Sequence, residues 1–541
     1  MYDGLRDERR WVLPEALRFQ AEVRGDSPFL TAVSDGAALT YAQAADEADR
    51  VAGFFAGLEV KPGEPVALLL PNGLNFVRVW LGLLRLGAVV VPLNSELKGA
   101  FLAHQLSDTG CRVAVLDAER LARIAEIAER LPALERLVVD GAADESPAPF
   151  HGIALSDWRK APPWNGPLPA ASDTACIMYT SGTTGPAKGV LMPHAHCFLF
   201  GLGTIDNFAL TPEDRFYICL PLFHANGLFM QLGATLIAGA SAALRERFSA
   251  SSWIADIRRF EATASNLLGA VTAFILAQPP GHDDRGHRLR VVGAAPDAPA
   301  HDEALRERFG VADVVPLYGM TEVNIPLYGE LGRPRPGTCG KVYDRYFEVE
   351  VRDPESDRAL PPGSVGEIMV RPKAAFGFTT GYHGLPDKTV EAWRNLWFHT
   401  GDAAVMEDDG YITFVDRMKD CIRRRGENIS SFEVEAAIER LPGVTEAAAY
   451  AVPAGIEGGE DEIMLAVVPA PGAKVTAAEV AAQAEKELPR YAQPRFIEML
   501  PELPKTPTGK VQKAKLRSRG VAKTTWDSTH EGVPADQSDS E

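Results

Sequence analysis

The sequence predicts an α/β protein with a large N-terminal domain of layered, mostly parallel sheets, a small β subdomain, and a small α+β C-terminal domain. Three observations carry that expectation. Between about residues 40 and 340, stretches of period 3.6 alternate with short β-branched runs, the rhythm of parallel strands joined by helical crossovers. After about residue 340, short apolar runs separated by Pro and Gly take over, as in antiparallel strands. Beyond Asp416 a basic stretch at 417–425 precedes a helix-like segment and a compact mixed pattern.

Each element follows in order. Thr40 and Gln43 have the spacing of a capping box. Val51, Phe54, Phe55 and Leu58 then fall at i, i+3, i+4 and i+7, which draws one apolar helix face. Residues 66–70 read as a buried strand ended by the turn Pro71-Asn72-Gly73. A helix at 76–86, a strand at 89–91, another helix and a strand at 113–116 follow. The rhythm recurs at 175–179, 216–220, 291–293 and 314–317, so at least two similar α/β layers are expected. Residues 347–351, 366–370 and 410–415 have the look of antiparallel strands, and 431–440 of a helix. The expected domains are 1–416, with its β subdomain from about 340, and 417–518. Residues 519–541 are expected to be a disordered tail, because five acids and no Lys or Arg lie from Asp527 onward.

At 541 residues the chain has room for three to four domains or subdomains at about 150 residues each. With 46% hydrophobic and 24% charged residues it is composed like a globular protein. The net charge of −18 argues against nucleic-acid or anionic-membrane partners. Six scattered cysteines without CxxC spacing support neither a disulfide framework nor a zinc site, and buried thiols in a reducing compartment are expected instead. The N-terminus mixes acids and bases without an apolar core, so no secretory signal is expected. The apolar stretch 77–93 is broken by Arg78 and Arg85, and the run 232–244 is too short to span a bilayer. The expected location is the cytoplasm.

The most informative stretch runs Tyr179-Thr180-Ser181-Gly182-Thr183-Thr184-Gly185-Pro186-Ala187-Lys188-Gly189, directly after an apolar strand. Small residues let backbone N–H groups approach an anion, hydroxyls add donors, and the lysine adds charge. Such a loop suits nucleotide phosphates, yet it is not the GxxxxGK[ST] word of P-loop NTPases. Further words follow: Gly293-Ala294-Ala295-Pro296, Tyr318-Gly319-Met320-Thr321-Glu322, Trp397-Phe398-His399-Thr400-Gly401-Asp402, Asp416-Arg417-Met418-Lys419-Asp420 and Pro504-Lys505-Thr506-Pro507-Thr508-Gly509-Lys510.

In this order, across about residues 10–517, they resemble the signatures of the adenylate-forming superfamily: acyl-CoA synthetases, peptide-synthetase adenylation domains and firefly-type luciferases. The resemblance implies an AMP-forming acyl-CoA synthetase using ATP, Mg²⁺ and coenzyme A on a small-molecule carboxylic acid, as a monomer or homodimer. It implies phosphate binding by Thr180, Ser181, Gly182, Thr183, Thr184, Gly185 and Lys188, and adenine contact by Gly293, Ala294, Ala295 and Tyr318. Gly319 and Met320 accompany Thr321, which would donate to the α-phosphate. Asp402 would take the ribose hydroxyls with help from Arg417, and Glu322 would hold Mg²⁺ as a hard oxygen ligand. Lys510 is the implied catalytic ammonium, accompanied by Thr183 and His224.

The resemblance also implies that the C-terminal module is mobile, with a hinge near Lys419, and that Arg425 and Gly426 face the thiol acceptor. Arg425 stands where many relatives have the first of two glycines. Arg423, Arg424 and Arg425 can also be read as a plain solvated run, and Lys505, Lys513 and Lys515 as solvated neighbours of Lys510. Residues 425–430 look most like the crotonobetaine/carnitine–CoA ligase branch. Acyl-pocket walls are expected from 224–230, 266–271 and 323–326, whose small and apolar residues admit short, branched or ring acids. Two rivals remain open at this stage. One is a stand-alone adenylation enzyme that loads a carrier protein in trans, and the other is a catalytically silent nucleotide binder.

Overall fold

The computed structural model describes residues 1–180, 186–295, 298–354, 356–417, 421–424, 427–453, 461–504, 511, 513–522 and 525–529. The chain forms two compact units. The first holds Met1–Ser95, Leu106–Tyr179 and Gly189–Asp416, and the second holds Glu96–Gln105, Thr180–Lys188 and the chain from Arg417 onward.

Among the described residues the first unit contains two large sheets. The nine-stranded one runs Lys341–Val342, Asn324–Tyr328, Asp313–Met320, Val291–Ala295, Ala264–Leu268, Arg215–Ile218, Ser241–Leu244, Pro28–Ala32, Ala38–Thr40. Its middle strands pair in parallel, and the antiparallel pairs lie toward its ends. The eight-stranded one runs Gly381–Tyr382, Lys188–Pro193, Thr174–Thr180, Val89–Pro92, Pro65–Leu69, Val113–Asp117, Arg136–Asp140, His151–Ala154. All four residues of Val89–Pro92 are buried, as expected of a strand covered on both faces.

The helices that cover these strands follow the predicted periodicity. Tyr41–Gly57 starts with both hydrogen bonds of the Thr40/Gln43 capping box and buries Val51, Phe54 and Phe55. Leu74–Leu86 begins two residues earlier than expected and packs against it. Their approach depends on Gly82: a Cβ there would stand 2.3 Å from Val51 Cγ1 and 3.2 Å from Ala52 N. The β subdomain is a five-stranded antiparallel sheet in which Phe347–Arg352, Val365–Pro372 and Trp397–Met406 lie side by side, with Trp393–Arg394 and Ile412–Arg417 beside the last.

In the second unit Val444–Pro453, Asp461–Pro469, Phe496–Met499 and Trp526–Asp527 form a four-stranded sheet, alongside the hairpin Cys421–Arg424/Glu427–Ser430. Ser431–Ile438, Ala477–Glu487 and Lys513–Arg519 are its helices. One expectation is corrected here. The tail does not begin at 519, because Trp526–Asp527 pairs with Phe496 and Ile497, and Asp527 is bridged by Arg495 at 3.3 Å. The acidic character of Asp527 meets a specific cation, so composition misjudged it. Residues 530–541 lie outside the described residues.

Candidate functional site

Three segments of the first unit meet where strands end. Val291–Ala295 pairs in parallel with Asp313–Met320 on one side and with Ala264–Leu268 on the other. The chain turns sharply after Met320 and returns as Asn324–Tyr328. Two residues make that return possible. A Cβ on Gly319 would stand 2.1 Å from Asn324 O, and Asn324 adopts a left-handed φ of 66°, which asparagine tolerates better than most. Gly293 is likewise required, since its Cβ would approach Asn266 Oδ1 to 2.6 Å. Ala294 is buried and Ala295 half-buried at the strand end.

Tyr318 and Asp402, singled out separately from the sequence, are joined. The Tyr318 hydroxyl donates to Asp402 Oδ2 at 2.8 Å, and both residues are buried. Burial, with the Asp402 charge second, pushes the Tyr318 hydroxyl well above its ordinary pKa, so it stays a donor. The Asp402 turn is pinned from below. Asp402 N–H donates to Thr400 Oγ1, and Gly401 N–H, at a φ of 74°, donates to Glu367 Oε1 at 2.8 Å. Glu367 Oε2 lies 3.0 Å from His399 Nδ1.

Glu322 is buried, and the Tyr382 hydroxyl donates to its Oε1 at 3.0 Å. The Glu322 carbonyl accepts from Thr379 N–H at 3.1 Å. Thr321 sits beside a histidine that the sequence reading missed. His196 Nε2 is 2.8 Å from Thr321 O, and Nδ1 is 3.0 Å from Gly377 O. Burial pulls that imidazole down to a pKa of about 4. The neutral ring has one N–H to share between two carbonyls, so it holds the Thr321 and Gly377 segments together at a cost.

His224 is half-buried on the loop after Arg215–Ile218, its ring centroid 4.6 Å from that of Phe223. The segment that follows, Asn226–Gly233, is a π-helix, a form often found at functional sites. Within it Asn226 Oδ1 accepts from Gln231 Nε2 at 3.1 Å and from Asn266 Nδ2 at 2.8 Å. Two of the expected pocket walls, 224–230 and 266–271, therefore touch.

The remaining candidates divide. Thr180 closes its strand and Lys188 opens the next. Ser181, Gly182, Thr183, Thr184, Gly185, Lys419, Arg425, Gly426 and Lys510 lie outside the described residues, and Arg417 ends the strand Ile412–Arg417. Two charges, one that could be read as solvated (Arg424) and one expected to be (Lys513), are structural. Arg424 is buried, pairs with Glu462 at 2.6 Å and donates to Gln493 O at 2.6 Å. Lys513 pairs with Glu435 at 2.6 Å and donates to Ser431 Oγ at 2.6 Å. In both cases a carboxylate distant in sequence draws the cation inward. Among the described residues no cluster of three His, Cys, Asp or Glu could hold a metal alone, and no helix is long and apolar enough to cross a membrane.

Residues 17–383 match the AMP-binding enzyme family, and residues 433–510 match the AMP-binding enzyme C-terminal domain. A sulfoacetate–CoA ligase of Cupriavidus necator is 34% identical over 495 residues, covering 91% of this chain and 94% of that protein. A crotonobetaine/carnitine–CoA ligase of Salmonella paratyphi C is 30% identical over 490 residues, covering 88% of this chain and 93% of that protein. A solved o-succinylbenzoate CoA synthetase variant from Bacillus subtilis, bound with a product analogue, shares the fold with a TM-score of 0.80 at 25% identity, covering 95% of this chain and 99% of that one. With matches over both its larger part and its C-terminal part, the chain belongs to the family of AMP-binding enzymes.

Proposed function

We propose that the chain is an ATP-dependent carboxylate–CoA ligase, an acid–thiol ligase that works in two steps. A carboxylate attacks the α-phosphorus of ATP, giving acyl adenylate and pyrophosphate. The coenzyme A thiolate then attacks the acyl carbon, and AMP departs. A free carboxylate resists nucleophiles because its charge is delocalised; the mixed anhydride restores an electrophilic carbon with a good leaving group.

The observation that carries this reading is the Tyr318–Asp402 hydrogen bond at the end of the Gly293–Ala295 strand pair. It sets a ring and a carboxylate side by side, as adenosine binding needs: the ring for the base and the carboxylate for the ribose hydroxyls. Arg417 assists Asp402 in this reading, and Gly293, Ala294, Ala295, Gly319 and Met320 give the base room. Thr180, Ser181, Gly182, Thr183, Thr184, Gly185 and Lys188 take the β- and γ-phosphates, Thr321 the α-phosphate, and His224 the substrate carboxylate. Lys510 stabilises the charge that builds on the pentavalent phosphorus, which is worth more in the transition state than in the ground state.

Glu322 would hold Mg²⁺. A buried carboxylate with one oxygen already steadied by Tyr382 suits a cation that takes few protein ligands and completes its shell with phosphate oxygens and water. When bound, the ion spreads the negative charge of the phosphates. We further place the domain boundary near 416/417 with a hinge at Lys419, Arg425 and Gly426 on the thiol side, and the protein in the cytoplasm as a monomer or homodimer.

The test is pyrophosphate release and thioester formation over a panel of acids, with and without coenzyme A. Coenzyme A-dependent thioester is the expected product. Pyrophosphate release that never yields a thioester would instead mark a carrier-protein loader, and neither product on a broad panel would mark a silent nucleotide binder.

A further inference from the structure

In the first unit, the segment 377–383 is fastened to both large sheets at once. On one side it lies along Lys188–Pro193, the strand of the eight-stranded sheet that follows the Ser/Thr/Gly-rich loop in the chain: Gly381 pairs with Leu191 and Tyr382 with Val190, antiparallel. Thr380 N–H and Thr379 Oγ1 both donate to Leu191 O, at 3.1 and 2.9 Å, and His383 N–H donates to Gly189 O at 2.7 Å. On the other side it grips the turn after Asp313–Met320, in the nine-stranded sheet. Thr379 N–H donates to Glu322 O at 3.1 Å, and the Tyr382 hydroxyl donates to Glu322 Oε1 at 3.0 Å. His196 completes the attachment, its ring set between Gly377 O at 3.0 Å and Thr321 O at 2.8 Å. The path of the segment needs Gly381, whose φ is 133° and whose Cβ would stand 2.8 Å from Thr389 Cγ2. Thr389 Oγ1 accepts from Tyr382 N–H at 2.9 Å, which fixes the backbone from which the ring extends.

We infer that 377–383 is a strap holding the strand after the phosphate loop in register with the Thr321–Glu322 turn, and that Tyr382 is a positioning residue for metal-bound nucleotide, acting through Glu322. The inference rests on the ligase reading above, which gives the loop to the β- and γ-phosphates, Thr321 to the α-phosphate and Glu322 to Mg²⁺. It adds what keeps those groups in place. Thr379, Tyr382 and Glu322 are buried, and a phenylalanine would fill the space of the tyrosine ring as well. The hydroxyl is what reaches the carboxylate. A donor on one oxygen of a metal-binding carboxylate fixes its orientation, and losing such a partner commonly costs 10- to 100-fold in metal affinity, an order of magnitude or two. Three attachments from one short segment, all meeting at two adjacent residues, go beyond what satisfying a single buried hydroxyl requires.

The experiment is calorimetric titration of the full-length protein with ATP, once in excess Mg²⁺ and once in excess EDTA, at a temperature where melting curves show each variant folded. The ratio of the two Kd values measures what the ion adds. Tyr382→Phe is expected to shrink that ratio about tenfold, while the Kd in EDTA stays within about twofold of wild type. Glu322→Gln is expected to abolish the ratio, and adding Tyr382→Phe to it to change little further, because the two act as one unit. An undiminished ratio in Tyr382→Phe, with Glu322→Gln abolishing it, would overturn the inference and leave Glu322 with Mg²⁺. Equal weakening of ATP binding with and without the ion would also overturn it, assigning Tyr382 to packing alone. A ratio of one in the wild type, or one untouched by Glu322→Gln, would overturn the metal assignment and this inference with it.

Discussion

Removing the ammonium of Lys510 is the sharpest test at the scale of single residues. Lys510→Ala is expected to slow adenylation by a hundredfold or more, on the order of one lost transition-state donor, while thioester formation from supplied acyl adenylate stays within a few-fold of wild type. Equal losses in both steps, measured in single turnovers, would contradict the separate roles. Tyr318→Phe probes the nucleotide side. It leaves Asp402 buried without the hydroxyl now 2.8 Å away, a loss of about 1–3 kcal/mol, so KM for ATP is expected to rise about tenfold. An unchanged KM would detach this pair from nucleotide binding. Tyr318, Glu322 and Asp402 were legible because each sits inside a word whose chemistry is local. Tyr382 and His196 were not. They act on Glu322 and Thr321 from 60 and 125 residues away, and nothing around either marks it out from an ordinary core aromatic.

Among elements, periodicity located the helices Tyr41–Gly57 and Leu74–Leu86 and about half of the first unit's strands, since burying one face or two leaves a pattern in the chain itself, but it passed over Arg136–Asp140, Ser241–Leu244, Ala264–Leu268 and the helix His194–Phe208. Sheet order left no such pattern, because a strand's period does not name its neighbour. Two-residue strands such as Lys341–Val342 and Gly381–Tyr382 are too short to have a period at all. The π-helix Asn226–Gly233 left no signal for a related reason: its i→i+5 bonding widens the turn and breaks the 3.6 repeat of an α-helix. Helix packing gives a direct test. Gly82→Ala gains up to about 1 kcal/mol of helix propensity, but it forces a methyl against Val51 Cγ1 at 2.3 Å. Overpacking of that kind costs about 1–3 kcal/mol. A lower melting temperature is expected, partly restored in Gly82→Ala/Val51→Ala; a restored or raised melting temperature in the single variant would refute the close contact.

At the scale of the whole molecule, the second unit is assembled from three stretches of chain, and no feature of the sequence announced that Glu96–Gln105 and Thr180–Lys188 belong with it. One bond within this unit makes a pH prediction. Ala187 N–H donates to Glu433, whose carboxyl burial raises from 4.5 to about 7. The folded state therefore holds a proton that the unfolded state releases near pH 4.5, and stability falls as pH rises from about 4.5 to 7, by at most about 3 kcal/mol. Glu433→Gln keeps an acceptor for Ala187 and removes the titration. It is expected to raise the melting temperature at pH 8 relative to wild type and to do so much less at pH 4.5; an equal shift at both would assign the effect to packing. The last strand has a consequence for anyone shortening this protein. Ending it at residue 518, where composition invited the cut, would strip Trp526–Asp527 from Phe496–Met499. That would leave a raw β edge whose unpaired amides and carbonyls recruit the same edge of another copy, and such a truncation should cloud in solution while the intact chain stays clear.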